Sequence, residues 1–188
     1  MGRLDPRDPL VLGAHDLDRR PGSLLRWRST LRAPEGLANG VLHVRAGEDL
    51  ALELRLESVV EGVLVTGTAV TRADGECVRC LDPLQETVEA DLQELYVYPD
   101  VEVEGEDPDE VLRLQGDLVD LRQVLRDAVV LAMPLLPLCR EDCPGLCPAC
   151  GARLAEDPEH DHAATDPRWA ALQKMFDSAP SGADPQET

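Results

Sequence analysis

Aromatic rings are almost missing from this 188-residue chain: one Phe, two Trp and two Tyr make up 3% of it. Its core must therefore rest on Leu, Val and Ala, whose packing specifies shape less tightly than rings do. Lysine is nearly absent as well. Lys174 stands alone among 18 basic residues, the rest being arginine, as codon bias in a GC-rich genome would leave it. No apolar run approaches the roughly 18 residues of a membrane span. The start, Met1-Gly2-Arg3-Leu4-Asp5-Pro6-Arg7-Asp8-Pro9, has no charged opening followed by an apolar stretch, so no signal peptide is expected. Pro6 stands where a myristoylation motif wants Ser or Thr. These absences point to a cytoplasmic protein, in which reduced thiols favour metal binding over disulfides. A phosphate-binding loop, a dinucleotide-binding glycine fingerprint, a nucleophile elbow and a catalytic zinc motif are all missing too. Neither an enzyme nor a small-molecule substrate is expected.

Positive charge is also in short supply, since 37 acidic residues against 18 basic ones leave a formal net charge of -19. A surface so negative repels the phosphate backbone on which nucleic-acid affinity depends. A basic protein partner suits it better, or RNA met at one local patch. The 43% hydrophobic content suffices for one core with a small satellite.

What is present begins with alternation. Residues 40 to 46, 50 to 58 and 62 to 72 alternate apolar and polar positions, with Leu50, Leu52, Leu54 and Leu56 on one face and Glu53, Arg55 and Glu57 on the other. Short breaks at Ala46-Gly47-Glu48-Asp49 and Val59-Val60-Glu61-Gly62 point to an antiparallel meander. A fourth strand is expected from Thr87 to Tyr98, its phase shifting from Val88, Ala90 and Leu92 to Leu95 and Val97 through a bulge. Residues 99 to 110 read as a mobile acidic loop, solvated or suited to a basic partner. A helix from Leu121 to Met133 would start at Asp120 as N-cap, with Gln123 at capping-box spacing, and stop at Pro134. Leu121, Val124, Leu125, Ala128, Val129 and Ala132 form its buried stripe. A second short helix runs from Asp166-Pro167 to Phe176.

The expected fold is therefore α+β: an antiparallel β-meander packed by one main helix, with a small zinc-knuckle segment towards the C-terminus. The corresponding boundaries are a core at 1–138, a cysteine-rich segment with the short helix at 139–177 and a disordered tail at 178–188.

Six cysteines occur as Cys77-Val-Arg-Cys80 and Cys139-Arg-Glu-Asp-Cys143-Pro-Gly-Leu-Cys147-Pro-Ala-Cys150-Gly151. Each C-x-x-C spacing lets two thiolates converge on one ion, and a tetrahedral zinc shell then needs two further ligands. Gly151 suits the tight turn of a knuckle. Two assignments are open. In one, Cys77, Cys80, Cys147 and Cys150 form a ribbon-like site and leave Cys139 and Cys143 spare. In the other, Cys77, Cys80, Cys139 and Cys143 share one ion, while Cys147 and Cys150 share a second with His160 and His162. The second uses every cysteine, but His-x-His on an extended strand points its rings apart, so a turn is required there. Asp161 is then a candidate outer partner. A zinc with four protein ligands keeps no open position and is structural. The rival reading is a zinc-dependent or thiol redox enzyme using the cysteines directly. It calls for an open coordination position or a thiol of depressed pKa. His15 and His43 are given no role.

One basic segment interrupts the acidic background: Arg19, Arg20, Arg26, Arg28 and Arg32, with Trp27 among them. Arginine beside an exposed ring can hold phosphate and stack a base, which makes these six residues the local RNA-binding candidate. The plainer reading is a strand with a solvated basic face and Trp27 in the core.

Four stretches, Gly75-Glu76-Cys77-Val78-Arg79-Cys80-Leu81, Leu131-Ala132-Met133-Pro134, Cys139 to Gly151 and Asp166-Pro167-Arg168-Trp169, together resemble the bacterial YceD family, in order and across most of the chain. Members are described as large ribosomal RNA subunit accumulation proteins and as predicted metal-binding proteins with a suggested link to nucleic acid. The resemblance implies a ribosome-biogenesis factor whose partner is a ribosomal protein or precursor ribosomal RNA. It also favours two structural Zn2+ sites, because relatives without the second knuckle keep ligands near the positions of Cys139 and Cys143. Others carry Cys-x-Cys where this chain has His160-Asp161-His162. Some members lack the cysteines, so the metal would support the fold rather than the shared function.

Overall fold

The computed structural model describes residues 3–102 and 111–162. The expected helix at 166–176, the tail from 178 and residues 103–110 of the acidic loop lie outside that range. The chain divides into two compact units, Met1–Gly145 and Leu146–Thr188. The boundary falls after Gly145, and Cys139 and Cys143 lie in the first unit beside Cys80 and Cys77.

The first unit is α+β. In chain order it contains β1 (Val11–Gly13), β2 (Leu24–Arg32), β3 (Leu42–His43), β4 (Asp49–Ser58), β5 (Gly62–Glu76), β6 (Pro83–Val97), β7 (Leu118–Asp120) and α1 (Arg122–Ala132). β5 is central. It pairs antiparallel with β4 through Val63 to Val70, with β3 at Asp74 and Gly75, and with β6 along its whole length. β2 closes the far side against β4, and β1 pairs with β7 in a small separate sheet.

Alternation places the core on one face of the large sheet. Leu50, Leu52, Leu54 and Leu56 meet Val63, Val65, Ala69 and Ala73 of β5 and Val88, Ala90, Leu92 and Tyr96 of β6, all buried. α1 covers them with Val124, Leu125 and Val129. With so few rings, Tyr96 and Tyr98 act as pins: the buried Tyr96 hydroxyl donates to Asp120 O at 2.7 Å, and the Tyr98 hydroxyl pairs with Ser58 Oγ at 3.0 Å.

Three local expectations are corrected. The strand at 40–46 shrinks to Leu42–His43, because Asn39 Oδ1 accepts the amides of Val41 and Leu42 at 3.1 and 2.9 Å and turns the chain. β6 carries no bulge. Its register with β5 runs unbroken from Gly62 opposite Val97 to Glu76 opposite Pro83, and Tyr96 keeps the inward phase while Leu95 lies on the exposed face. Asp120 does not cap α1 in the expected way: Leu121 is the N-cap, and Asp120 Oδ1 accepts the Arg122 amide at 3.1 Å while its carboxylate pairs with the Arg122 guanidinium.

Gly67 sits between Leu54 of β4 and Leu92 of β6, with φ of 154°. A Cβ there would collide with the Glu53 carbonyl and lie 2.9 Å from Leu54 Cα. Both obstacles are backbone of the adjoining strand, which cannot swing aside. Gly67→Ala is expected to lower unfolding free energy by about 3 kcal/mol in urea denaturation.

Candidate metal centres

The turn between β5 and β6 is built by Cys77-Val-Arg-Cys80-Leu81-Asp82. The Cys77 amide donates to Asp82 O at 2.8 Å and the Leu81 amide to Cys77 O at 2.9 Å. In the second unit, Cys147-Pro-Ala-Cys150-Gly151-Ala152 repeats the pattern: the Cys147 amide donates to Ala152 O at 2.8 Å and the Gly151 amide to Cys147 O at 2.8 Å. Both turns place the residue after the second cysteine in the left-handed region, Leu81 at φ 59° and Gly151 at φ 75°. Each is therefore the same knuckle-shaped turn, with two thiols on one side of it.

The first pair meets Cys139 and Cys143, which follow α1 in the chain. Cys77 Sγ lies 3.8 Å from Cys143 Sγ, and Cys80 Sγ lies 3.6 Å from Cys139 Sγ. All four sulfurs fall within 4.8 Å of one another. Four thiolates about 2.3 Å from a tetrahedral ion stand about 3.8 Å apart, so the set matches such a shell. Leu84 and Leu138 pack around it. The returning segment is held by the Val78 amide on Pro137 O at 3.0 Å and by Arg79 Nη1 on Cys143 O at 2.9 Å.

The second pair meets His160 and His162. A turn closed by the His160 amide on Asp157 O at 3.1 Å leads into the pair, and both Nε2 atoms converge at 2.9 Å, with Cys150 Sγ 3.2 Å from His160 Nε2. These spacings are slightly tighter than the roughly 3.3 to 3.5 Å edges of a tetrahedral shell with two nitrogens and two sulfurs. The four donor atoms again lie within 4.8 Å. Asp157, and not Asp161, approaches the far ring nitrogen, with Oδ2 3.9 Å from His160 Nδ1. The partner escaped sequence reasoning because it lies across the turn; a carboxylate three residues before the histidine was the available signal.

All six cysteines are free thiols, and their acidities are split. Backbone amides of Cys139 and Cys80 pull the Cys77 thiol down to about 6 against the effect of burial. The Asp82 amide lowers Cys80, but burial and the neighbouring Cys77 and Cys139 sulfurs outweigh it and push Cys80 up to about 12. Cys139 is raised, chiefly by Cys143. In the second set, the Ala149 and Cys150 amides bring Cys147 down to about 6. In each set one thiol, Cys77 or Cys147, thus ionises more readily than a free cysteine. In the first, crowding opposes further ionisation, a conflict that a bound cation resolves.

The arginine segment is divided. β2 points Arg26, Arg28 and Arg32 to the exposed face and sets Trp27, half-buried, against the core. Arg28 pairs with Glu53 at 2.9 Å and Arg32 with Asp49 at 2.6 Å. Arg19, ahead of the strand, lies 4.3 Å over the Tyr98 ring and 3.3 Å from Asp100. Arg20 and Arg26 have no ion-pair partner among the described residues. The ring and the arginines of β2 do not share a face.

Fold and donor sets together define an α+β protein with two four-ligand groups able to hold metal ions. Its family follows from comparison: residues 65–176 match the model described as large ribosomal RNA subunit accumulation protein YceD, and the chain belongs to the YceD family. An uncharacterised protein of Mycobacterium tuberculosis is 45% identical over 169 residues, covering 89% of this chain and 82% of its own. One from Mycobacterium leprae is 38% identical over 170 residues, covering 89% and 78%. No solved structure matches the chain.

Leu81 occupies a backbone region that costs a branched L-residue about 1–2 kcal/mol. It is 57% exposed, so little packing offsets that cost. Leu81→Gly is expected to raise the unfolding free energy by about 0.5 kcal/mol after the extra chain entropy of glycine is deducted. Leu81→Ile should lower it by about 1 kcal/mol. Chemical denaturation of both variants reads the difference.

Proposed function

We propose that this protein is a non-enzymatic, zinc-stabilised factor that promotes the synthesis, processing or accumulation of large-subunit ribosomal RNA, working through a ribosomal protein or precursor RNA. The observation that carries the metal part is the four-sulfur set whose separations, 3.6 and 3.8 Å, match the edge of a tetrahedral zinc shell. Zinc suits both sets because thiolate and imidazole are its preferred donors and neither set keeps a position open for substrate. Cys77, Cys80, Cys139 and Cys143 would hold one ion, and Cys147, Cys150, His160 and His162 the other.

The structural role is supported by where the first set lies. It ties the β5–β6 turn to chain 59 and 66 residues away, just past α1. A redox enzyme needs an accessible thiolate. Here the thiols with lowered pKa are Cys77 and Cys147, both buried, whereas the exposed Cys139 is raised. The ribosomal link comes from the family description. Contact through protein is favoured over RNA by the net charge of -19 and by the paired state of Arg19, Arg28 and Arg32.

Metal analysis of the purified protein is expected to give two zinc per chain. Cys150→Ser should leave one and preserve the sheet by circular dichroism, while Cys139→Ser should lose the other ion and lower the thermal midpoint. A metal-free protein with an unchanged midpoint would exclude the structural role. Affinity capture from cells should recover ribosomal proteins or precursor ribosomal RNA, and recovery of neither would end the biogenesis reading.

A further inference from the structure

Strand β6 has a full-length partner on one side only. At its other edge, among the described residues, the Val97 amide donates to Leu112 O at 2.8 Å and the Leu114 amide donates to Val97 O at 3.1 Å. Those bonds show which backbone groups point outward. Orientation alternates along a strand, so the N–H and C=O of Asp91, Gln93 and Leu95 face the same edge as those of Val97. No described residue pairs with them there. An edge of this kind is a template for a further strand.

Beside it runs a groove of about 700 Å³ between β6 and α1. Glu61, Asp91, Glu94 and Asp127 rim it, Leu95 and Leu131 supply exposed apolar surface, and no Arg, Lys or His lines it among the described residues. The four carboxylates hold no cation among the described residues. By contrast, Asp49, Glu53 and Glu57 of β4 and Asp74 of β5 each pair with an arginine. Among the described residues, apolar surface, uncompensated negative charge and open backbone groups coincide at one edge.

We propose that this edge docks an extended, basic segment of a partner protein, which adds beside β6 as a new strand. Its backbone bonds Asp91, Gln93 and Leu95, its Arg or Lys side chains meet the four carboxylates, and its apolar side chains cover Leu95 and Leu131. The acidic rim repels RNA phosphates, and two copies carrying -19 each repel one another. The inference rests on the protein-contact reading above, yet its test uses purified protein and stands apart from any recovery of ribosomal material.

The probe is a fluorescent extended peptide alternating Arg or Lys with Val or Leu, titrated into the full-length protein by anisotropy. Saturable binding with slowed amide exchange at Gln93 and Leu95 is expected. The double variant Glu94→Lys with Asp127→Lys should weaken binding on the order of tenfold. Asp16→Lys with Glu48→Lys, an equal charge change at residues that line neither the groove nor the surface around Asp127, should leave it within about twofold, since remote exposed charges are screened. Gln93→Pro removes an outward donor without touching the β5 ladder, so it should abolish binding while the unfolding midpoint shows a folded protein. Equal weakening by both double variants, protection outside β6, self-association through this edge, or the same protection from a single-stranded RNA oligonucleotide would each overturn the proposal.

Discussion

The unbroken ladder between β5 and β6 is the constraint on which the remainder of the first unit depends. It runs from Gly62 opposite Val97 to Glu76 opposite Pro83 without a slip. A shift of one residue would carry Val88, Ala90, Leu92 and Tyr96 from the core face to solvent. The same register delivers Cys77 and Cys80 to the tip of the hairpin and leaves the outer groups of Asp91, Gln93 and Leu95 along its far side. Core, thiol cluster and open edge are thus three results of a single pairing.

Ring scarcity shapes how that core is finished. Leu, Val and Ala fill the space between sheet and helix, and directional bonds from two tyrosines supply part of the specificity that more rings would have provided. Tyr96 anchors the β7 end to the sheet through Asp120 O, and Tyr98 is tied to Ser58 across 40 residues. At the tip of the hairpin, the thiol cluster makes the corresponding long-range tie to Cys139 and Cys143.

Much of this was legible in the residues, because it rests on period-two alternation and cysteine spacing. Leu50 to Leu56 announced β4, and the two C-x-x-C pairs announced two tight cysteine turns. The meeting of His160 with His162 was less legible, since His-x-His on an extended chain points its rings apart and the turn that precedes the pair closes on Asp157. Other features had no local signal. β1 and β7 are three residues each, too short for alternation to register. Leu95 reads as a change of phase, but it is an apolar residue on the exposed face of a strand that keeps its phase. Asp120 resembles a helix cap, yet Arg122 competes for its carboxylate. The groove at β6 could not be read at all, since it joins side chains from distant strands and α1.

The twin knuckles carry one difference with a consequence for charge balance. A divalent ion held by four thiolates leaves a centre of formal charge about -2, whereas two thiolates and two neutral imidazoles leave it near zero. With such an ion bound, the first centre would therefore need compensation inside an already acidic protein. Arg79, two residues into the same turn, reaches across to Cys143 O at 2.9 Å and places a guanidinium beside the cluster. The second knuckle has Ala149 at the corresponding position and needs no such counterion. The two turns share a backbone, and the residue inside each one is matched to the charge it must sit beside.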